Sequence, residues 1–87
     1  MPTEPIHDDP RMSHLGIVGY GEVGRIFAAG LRAAGVRDLA VWDLKFADAA
    51  QQAGPRAHAQ GAGVHPADSV AALCAGRKLI ISAVTAS

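Results

Sequence analysis

The chain has 87 residues, which suits one small domain. A chain of this size buries only about 60–65 % of its unfolded surface, so its core must be thin and closely packed. Eight Lys and Arg residues balance eight Asp and Glu residues, which leaves no excess positive charge to neutralise a nucleic-acid backbone or an anionic lipid surface. The apolar runs are also far shorter than the roughly 20 residues of a membrane span, so nucleic acid and membrane are not the expected partners.

Residues 1–13 carry three of the five prolines and almost nothing to bury, which predicts a disordered leader. Since this segment has no apolar stretch of the kind found in a secretory signal, the sequence predicts a cytoplasmic protein. Residues 14–87 are then expected to form a single folded domain.

The stretch Leu15–Gly24 reads LGIVGYGEVG. Its apolar beginning predicts a short buried strand that Gly19 ends, and a helical pattern starts at Glu22. Apolar residues then recur at spacings of three and four until Gly35, where a left-handed cap is expected. The positions expected to form the buried face of this helix are Val23, Ile26, Phe27, Gly30, Leu31 and Ala34.

Leu39–Trp42 predicts a second buried strand, in which Trp42 is expected to pack between the sheet and the helices. Phe46–Gln52 predicts a weaker helix, which Gly54 and Pro55 are expected to stop. The pattern leaves residues 56–60 as either a further helical turn or a loop.

The second half of the chain predicts two more strands with a helix between them. Residues 62–65 are a candidate short strand, and residues 66–69 are expected to open a helix over 70–75 that Gly76 ends. Residues 78–84 form the most apolar and β-branched run of the sequence, which predicts the last strand.

Strands that alternate with helices predict an α/β fold with a parallel sheet and right-handed crossovers. The expected architecture is a Rossmann-type three-layer fold with about four strands in the order 3-2-1-4. This topology brings the glycine loop and the ends of the second and fourth strands to one edge of the sheet, where a ligand is expected to bind.

The glycine loop has the spacing of a dinucleotide-binding fingerprint. Gly19 permits a tight turn, Gly21 removes the side chain where a pyrophosphate approaches the backbone, and Gly24 permits close packing of helix and strand. The free N–H groups at the helix N-terminus then bind the phosphates. The pattern assigns no role to the Tyr20 side chain. The candidate cofactor-binding residues of the loop are Gly19, Tyr20, Gly21, Glu22, Val23 and Gly24.

Asp43 follows Gly24 by 19 residues and ends the second strand, where an acid accepts hydrogen bonds from the adenosine ribose. Its charge repels a 2′-phosphate and favours NAD, whereas Lys45 attracts one and keeps NADP as the alternative. Asp43 has a second interpretation, as a cap for the helix that follows. The backbone of Ala83, Val84 and Thr85, at the end of the fourth strand, is expected to line the cofactor cleft.

The sequence predicts no metal site and no catalytic residue. Its four histidines are far apart and lack the spacing of metal ligands. The single cysteine, Cys74, lies among Ala and Leu residues and is expected to be a buried or half-buried structural thiol.

The stretch Leu15–Ser87 resembles the NAD-binding domain of the β-hydroxyacid dehydrogenases, which include 6-phosphogluconate and 3-hydroxyisobutyrate dehydrogenases. The resemblance rests on GIVGYGEVG at 16–24, VWD at 41–43 and LIISAVT at 79–85. Many members have an Asn-Arg pair after the second strand that suits NADP, whereas Asp43 and the two residues after it resemble the NAD-type variant.

The resemblance implies an oxidoreductase that transfers a hydride between a small 3-hydroxy acid and NAD(P). The family's general acid/base lysine lies in a separate C-terminal helical domain, and its Ser-Gly-Gly substrate segment follows the fifth strand. We therefore expect this chain to be the cofactor-binding part of an enzyme, with a homodimer as one possible assembly. The uncovered edge of the last strand is expected to make the isolated chain poorly soluble or to pair with another copy.

Two other classes of function stay open at this point. One is a non-enzymatic nucleotide-sensing module that regulates a partner protein. The other is a structural α/β module without a ligand. Calorimetric titration with dinucleotides separates the structural module from the two binding functions, and the gene sequence after Ser87 separates the enzyme from the sensor.

Overall fold

Strands and helices alternate along residues 14–84, the part of the chain that the computed structural model describes. The expected leader at 1–13 and the candidate site residue Thr85 lie outside these residues. The strands are β1 (His14–Val18), β2 (Asp38–Trp42), β3 (His65–Pro66) and β4 (Leu79–Ser82). The helices are α1 (Glu22–Ala33), α2 (Ala53–Gly61) and α3 (Val70–Cys74), with a 3₁₀ helix at Leu44–Ala47.

The four strands form one parallel sheet in the order β3-β2-β1-β4, which confirms the predicted topology. In the central strand, Leu15 lies beside Leu39 of β2 on one side and Leu79 of β4 on the other. The fold is therefore the Rossmann-like α/β architecture that the alternation of elements predicted.

Side chains alternate between the two faces of the sheet and build two cores. Leu15 and Ile17 are fully buried in the larger core, together with Ala28 and Leu31 of α1. Gly16 lies against the other layer, since a Cβ there would be 2.8 Å from Ile80 Cδ1. That smaller core contains Ala40, Ala67 and Leu73.

The predicted buried face of α1 is wrong in most of its members. Val23, Ile26 and Phe27 are 41 %, 67 % and 46 % exposed, and Gly30 and Ala34 are exposed as well. Of the predicted face only Leu31 is buried, and the helix contacts the sheet through this residue together with Gly24 and Ala28. Because Gly24 and Ala28 are small, the helix axis comes close to the sheet along this line. A strip of large apolar residues is left uncovered on the side of the helix.

The prediction for the segment after β2 is also wrong. The chain forms the 3₁₀ helix at Leu44–Ala47, which buries Phe46, and α2 begins only at Ala53. Pro55 lies inside the first turn of α2, where its missing N–H has no intrahelical acceptor to lose. The Gly54-Pro55 pair therefore begins a helix instead of ending one.

The third strand is shorter and later than predicted. It comprises only His65–Pro66, because Ala62 caps α2 and Gly63 has φ of +75°. Pro66 fits here because β3 is an edge strand.

The elements after β3 agree better with their predictions. The Ser69 hydroxyl caps α3 by accepting a hydrogen bond from the Ala72 N–H at 3.0 Å. Gly76, with φ of +72°, follows the end of this helix as predicted. The last strand, β4, is shorter than the predicted 78–84.

Cys74 is exposed, which contradicts the prediction of a buried thiol. In the short α3 the buried residue is its neighbour Leu73, and Cys74 therefore falls on the solvent side. Within residues 14–84, no three His, Cys, Asp or Glu side chains form a group suited to a metal ion. None of the helices in these residues has the length and apolar character to cross a membrane.

Candidate functional site

Three segments meet at the carboxyl edge of the sheet, as the topology predicted. They are the loop after β1, the residues after β2 and the residues after β4, and they enclose a cleft of about 520 Å³. The residues that line the cleft are Val18, Gly19, Gly21, Glu22, Val23, Trp42, Asp43, Leu44, Ala83 and Val84.

Gly19 lies where the three segments come closest. Its φ is +102°, and a Cβ at this position would be 2.9 Å from the Ala83 carbonyl carbon and 3.0 Å from the Val84 nitrogen. The Gly19 N–H donates to the Trp42 carbonyl oxygen at 2.7 Å. Any side chain here would therefore push the loop away from β4, which explains the requirement for glycine.

The other two glycines of the loop differ in what surrounds them. A Cβ on Gly24 would be 2.0 Å from the Gly19 oxygen, so this glycine permits the contact between α1 and the loop. A Cβ on Gly21 would have no atom beyond its chain neighbours within 4 Å. Gly21 therefore leaves open space at the cleft.

The N-terminus of α1 lies at the cleft. The first intrahelical hydrogen bond runs from the Arg25 N–H to the Gly21 oxygen at 2.9 Å, and the cap residue Gly21 has no side chain to satisfy the earlier N–H groups. The first N–H groups of a helix have no intrahelical acceptor, and together they form the positive end of the helix dipole. This arrangement suits an anion.

Asp43 connects two of the three segments. Its Oδ2 accepts a hydrogen bond from the Tyr20 N–H at 2.7 Å, and its Oδ1 accepts one from the Lys45 N–H at 2.9 Å. It thus caps the 3₁₀ helix. The second predicted role of Asp43 was to cap the helix that follows β2, and it does cap a helix there, although a 3₁₀ helix. Each carboxylate oxygen can accept more than one hydrogen bond, so Asp43 can also accept from a hydroxyl group in the cleft.

Tyr20 does not line the cleft, although its position in the loop made it a candidate. Its side chain is 2 % exposed, and its hydroxyl forms a 2.7 Å hydrogen bond with His58 Nδ1 of α2. The Arg25 guanidinium lies over its ring at 5.6 Å. Burial raises the pKa of the Tyr20 hydroxyl, and the charge of Arg25 partly opposes that rise. Only the backbone of Tyr20 takes part in the site.

Most of the predicted site residues are brought together at this cleft. The predicted residues that line it are Gly19, Gly21, Glu22, Val23, Asp43, Ala83 and Val84, whereas Tyr20, Gly24 and Lys45 do not. Val18, Trp42 and Leu44 also line the cleft, although they were not among the predicted site residues. Leu44 is largely exposed, and the buried Trp42 Nε1 has no hydrogen-bond partner among the described residues. The sequence feature that could have identified Val18, Trp42 and Leu44 as lining residues is their position at the ends of β1 and β2.

The charged side chains that line the cleft are Glu22 and Asp43, and no Lys or Arg of residues 14–84 joins them. Attraction for an anion must therefore come from the backbone N–H groups of the loop and helix.

Comparison with known proteins supports the fold. No protein-family model matches the sequence, and no curated protein matches it. A solved structure, described as a conserved hypothetical protein from Sinorhizobium meliloti 1021, superposes with a TM-score of 0.78 at 34 % sequence identity. The match covers 95 % of this chain and 27 % of that protein, so the chain spans about a quarter of its length.

Proposed function

We propose that the chain binds NAD in the cleft at the carboxyl edge of the sheet and serves as the cofactor-binding part of an oxidoreductase. The observation that carries the proposal is the convergence of the glycine loop, the N-terminus of α1 and the Asp43 carboxylate on one cleft of about 520 Å³. A dinucleotide needs these three features together, for its pyrophosphate and for its ribose.

The glycine loop fits the pyrophosphate. Gly21 offers open space where a side chain would otherwise stand, and the N–H groups of the first turn of α1 are available to phosphate oxygens. Gly19 and Gly24 hold the loop in place through their close contacts with Ala83 and with each other.

The end of β2 supports NAD over NADP. Asp43 lines the cleft and can accept a hydrogen bond from a ribose hydroxyl, while Lys45 lies outside the lining. A carboxylate in this place repels a 2′-phosphate. The Leu44 side chain adds apolar surface beside Asp43.

The resemblance to the β-hydroxyacid dehydrogenases supports the wider proposal. In an enzyme of that kind, NAD accepts a hydride from a small 3-hydroxy acid, and the residues of this chain bind and orient the cofactor. The substrate and the general acid/base belong to the remainder of such an enzyme. The proposal includes a cytoplasmic location, which cell fractionation tests.

The experiment is isothermal titration of the chain with NAD, NADP and AMP, on the wild type and on Gly21→Ala. A methyl group at Gly21 meets no protein atom beyond its neighbours but occupies the space assigned to the pyrophosphate. We expect NAD affinity to fall at least about tenfold while the melting temperature stays within about 2 °C of the wild type.

Gly54→Ala is the matched control, because a Cβ at Gly54 also meets nothing within 4 Å and lies far from the cleft in the first turn of α2. This variant should bind NAD like the wild type. Absence of heat with every nucleotide would refute the proposal and favour a structural module. Equal NAD affinity in the wild type and in Gly21→Ala would refute the assigned cleft.

A further inference from the structure

Tyr20 lies between two glycines of the loop, Gly19 and Gly21. Glycine restricts the backbone dihedral angles less than any other residue, so the chain on either side of Tyr20 does not by itself fix its position. The Tyr20 side chain, by contrast, is almost completely buried. The contacts of this side chain therefore limit the conformations that the loop can adopt.

Two side chains of α2 contact the pair of rings formed by Tyr20 and Phe46, whose centres lie 6.5 Å apart. His58 Nδ1 forms the 2.7 Å hydrogen bond with the Tyr20 hydroxyl. Two residues earlier on the helix, the Arg56 guanidinium lies 5.0 Å from the centre of the Phe46 ring, and its Nη2 donates to the Phe46 carbonyl oxygen at 3.4 Å. The helix α2 therefore contacts both the glycine loop and the 3₁₀ helix.

Asp43 joins the same two residues on the side of the cleft. Its Oδ2 accepts a hydrogen bond from the Tyr20 N–H at 2.7 Å, and its carbonyl oxygen accepts one from the Phe46 N–H at 2.9 Å. Asp43 is thus hydrogen bonded to the backbone of both residues whose side chains contact α2. A displacement of the Tyr20 ring moves the N–H group that orients the Asp43 carboxylate.

We propose that His58 is a positioning residue for the cofactor site and acts through Tyr20 on the Asp43 carboxylate. The inference rests on the proposed binding of NAD and adds a residue that does not line the cleft. The bond to His58 holds the Tyr20 ring, the Tyr20 N–H stays on Asp43 Oδ2, and the carboxylate keeps the orientation that receives a ribose hydroxyl. Because a preorganised acceptor loses less conformational entropy on binding, His58 strengthens the binding of NAD without touching it.

Of the two α2 residues, His58 is the one whose replacement isolates the effect on the loop. Arg56 is also hydrogen bonded to Gln52 and Asp68, so replacing it would disturb the start of α2 and the loop after β3 as well. His58 is an exposed residue of the helix, and its replacement by Ala removes the bond to Tyr20 while leaving the buried core of the domain intact.

The first measurement is amide hydrogen exchange of the free chain by NMR, for the wild type and for His58→Ala. We expect exchange of the Tyr20 N–H to become at least about threefold faster relative to that of the Gly19 N–H. The Gly19 N–H is the internal reference, because it donates to the Trp42 carbonyl oxygen and not to Asp43. A general loss of stability would accelerate both amides alike, and an unchanged ratio of the two rates would overturn the proposal.

The second measurement is calorimetric titration with NAD and NADP, at a temperature where melting curves show every variant to be folded. We expect His58→Ala to lower NAD affinity about three- to tenfold and NADP affinity by less than about twofold. His58→Asn should recover most of the NAD affinity, because a side-chain amide can form a hydrogen bond with the Tyr20 hydroxyl. Gln60→Ala is the matched control, since Gln60 is exposed on the same helix about 200° around from His58, and it should bind NAD like the wild type.

A double variant shows whether His58 acts through Asp43. Adding His58→Ala to Asp43→Ala should lower NAD affinity by less than about twofold, because the carboxylate that His58 positions is already absent. Independent losses that multiply, or equal losses for NAD and NADP in His58→Ala, would overturn the proposal. If the wild type bound no NAD, the proposed function would be wrong and this proposal with it, whereas NAD binding with an unchanged exchange ratio would overturn this proposal alone.

Discussion

Asp43 shows how one side chain serves both the fold and the proposed ligand. Its two oxygens already accept hydrogen bonds from the backbone N–H groups of Tyr20 and Lys45. These bonds fix the orientation of the carboxylate at the mouth of the cleft, and its oxygens can still accept a further hydrogen bond. A preorganised acceptor needs no rearrangement when a ribose hydroxyl arrives.

We expect Asp43→Asn to lower NAD affinity about 10- to 100-fold, because a charge-assisted hydrogen bond contributes about 1.5–3 kcal/mol. NADP affinity should change less or rise, since the repulsion of the 2′-phosphate is lost. The measurement is titration calorimetry with both dinucleotides. Lys45→Met serves as the control. The assigned preference for NAD over NADP would be wrong if Lys45→Met selectively lost NADP binding while Asp43→Asn bound NAD as tightly as the wild type.

At the scale of elements, Tyr20 joins the glycine loop to α2. Its hydroxyl bonds to His58, the two rings meet edge to face at 5.5 Å, and Phe46 of the 3₁₀ helix lies 6.5 Å away. The backbone of the same residue donates to Asp43. One residue of the loop therefore connects three elements. The sequence pattern of each element gives no indication of its contacts with the other two.

Tyr20→Phe should lower the free energy of unfolding by about 1 kcal/mol, because it removes the hydrogen bond to His58 and keeps the ring. A domain of this size then melts several degrees lower. Urea unfolding of Tyr20→Phe, His58→Ala and the double variant forms a mutant cycle. Fully additive losses would show that the two side chains do not interact in solution.

At the scale of the whole molecule, an ionic cluster ties together the amino ends of three strands. Asp38 at the start of β2 forms an ion pair with Arg77, just before β4, and a hydrogen bond with His14 Nδ1 of β1 at 2.5 Å. Burial acts to raise the pKa of Asp38, but hydrogen bonds and charges from Arg77 and His14 outweigh it and lower the pKa below its usual value. The cluster lies at the edge of the sheet opposite the cleft.

The lowered pKa predicts a pH dependence of stability. The contribution of Asp38 is present in full above the unfolded pKa of about 3.9 and is lost as the pH falls through the folded value. Because the side chain is 43 % exposed, screening limits the effect to about 1 kcal/mol or less. Asp38→Asn should therefore destabilise the chain at pH 7 in urea unfolding and have little effect near pH 2.

Asp68→Asn is the control for this measurement, since Asp68 pairs with Arg56 from an almost fully exposed position. Its stability should differ little from the wild type at either pH. An Asp38→Asn variant as stable as the wild type at pH 7 would contradict the stabilising role of the cluster.

The sequence by itself determined the order of elements, the parallel sheet and the loop with its three glycines. These features depend on local signals: apolar runs, the positions of Gly19, Gly21 and Gly24, and an acid at the end of β2. Parallel strands then bring their carboxyl ends to one edge whatever the details of packing. For this reason most of the candidate cleft could be assigned before the fold was known.

Only the tertiary structure decided which side of each helix is buried. Periodicity identifies the apolar residues of α1, but the side of the helix that packs against the sheet is the one that allows the closest approach between the two. The small residues Gly24 and Ala28 form that side. The same reasoning applies to Cys74, which Leu73 displaces to the surface. The direction of Tyr20 depends on His58, 38 residues away, a contact that no local pattern encodes. Local sequence patterns determine where helices and strands form, whereas packing between distant residues determines which of their faces are buried.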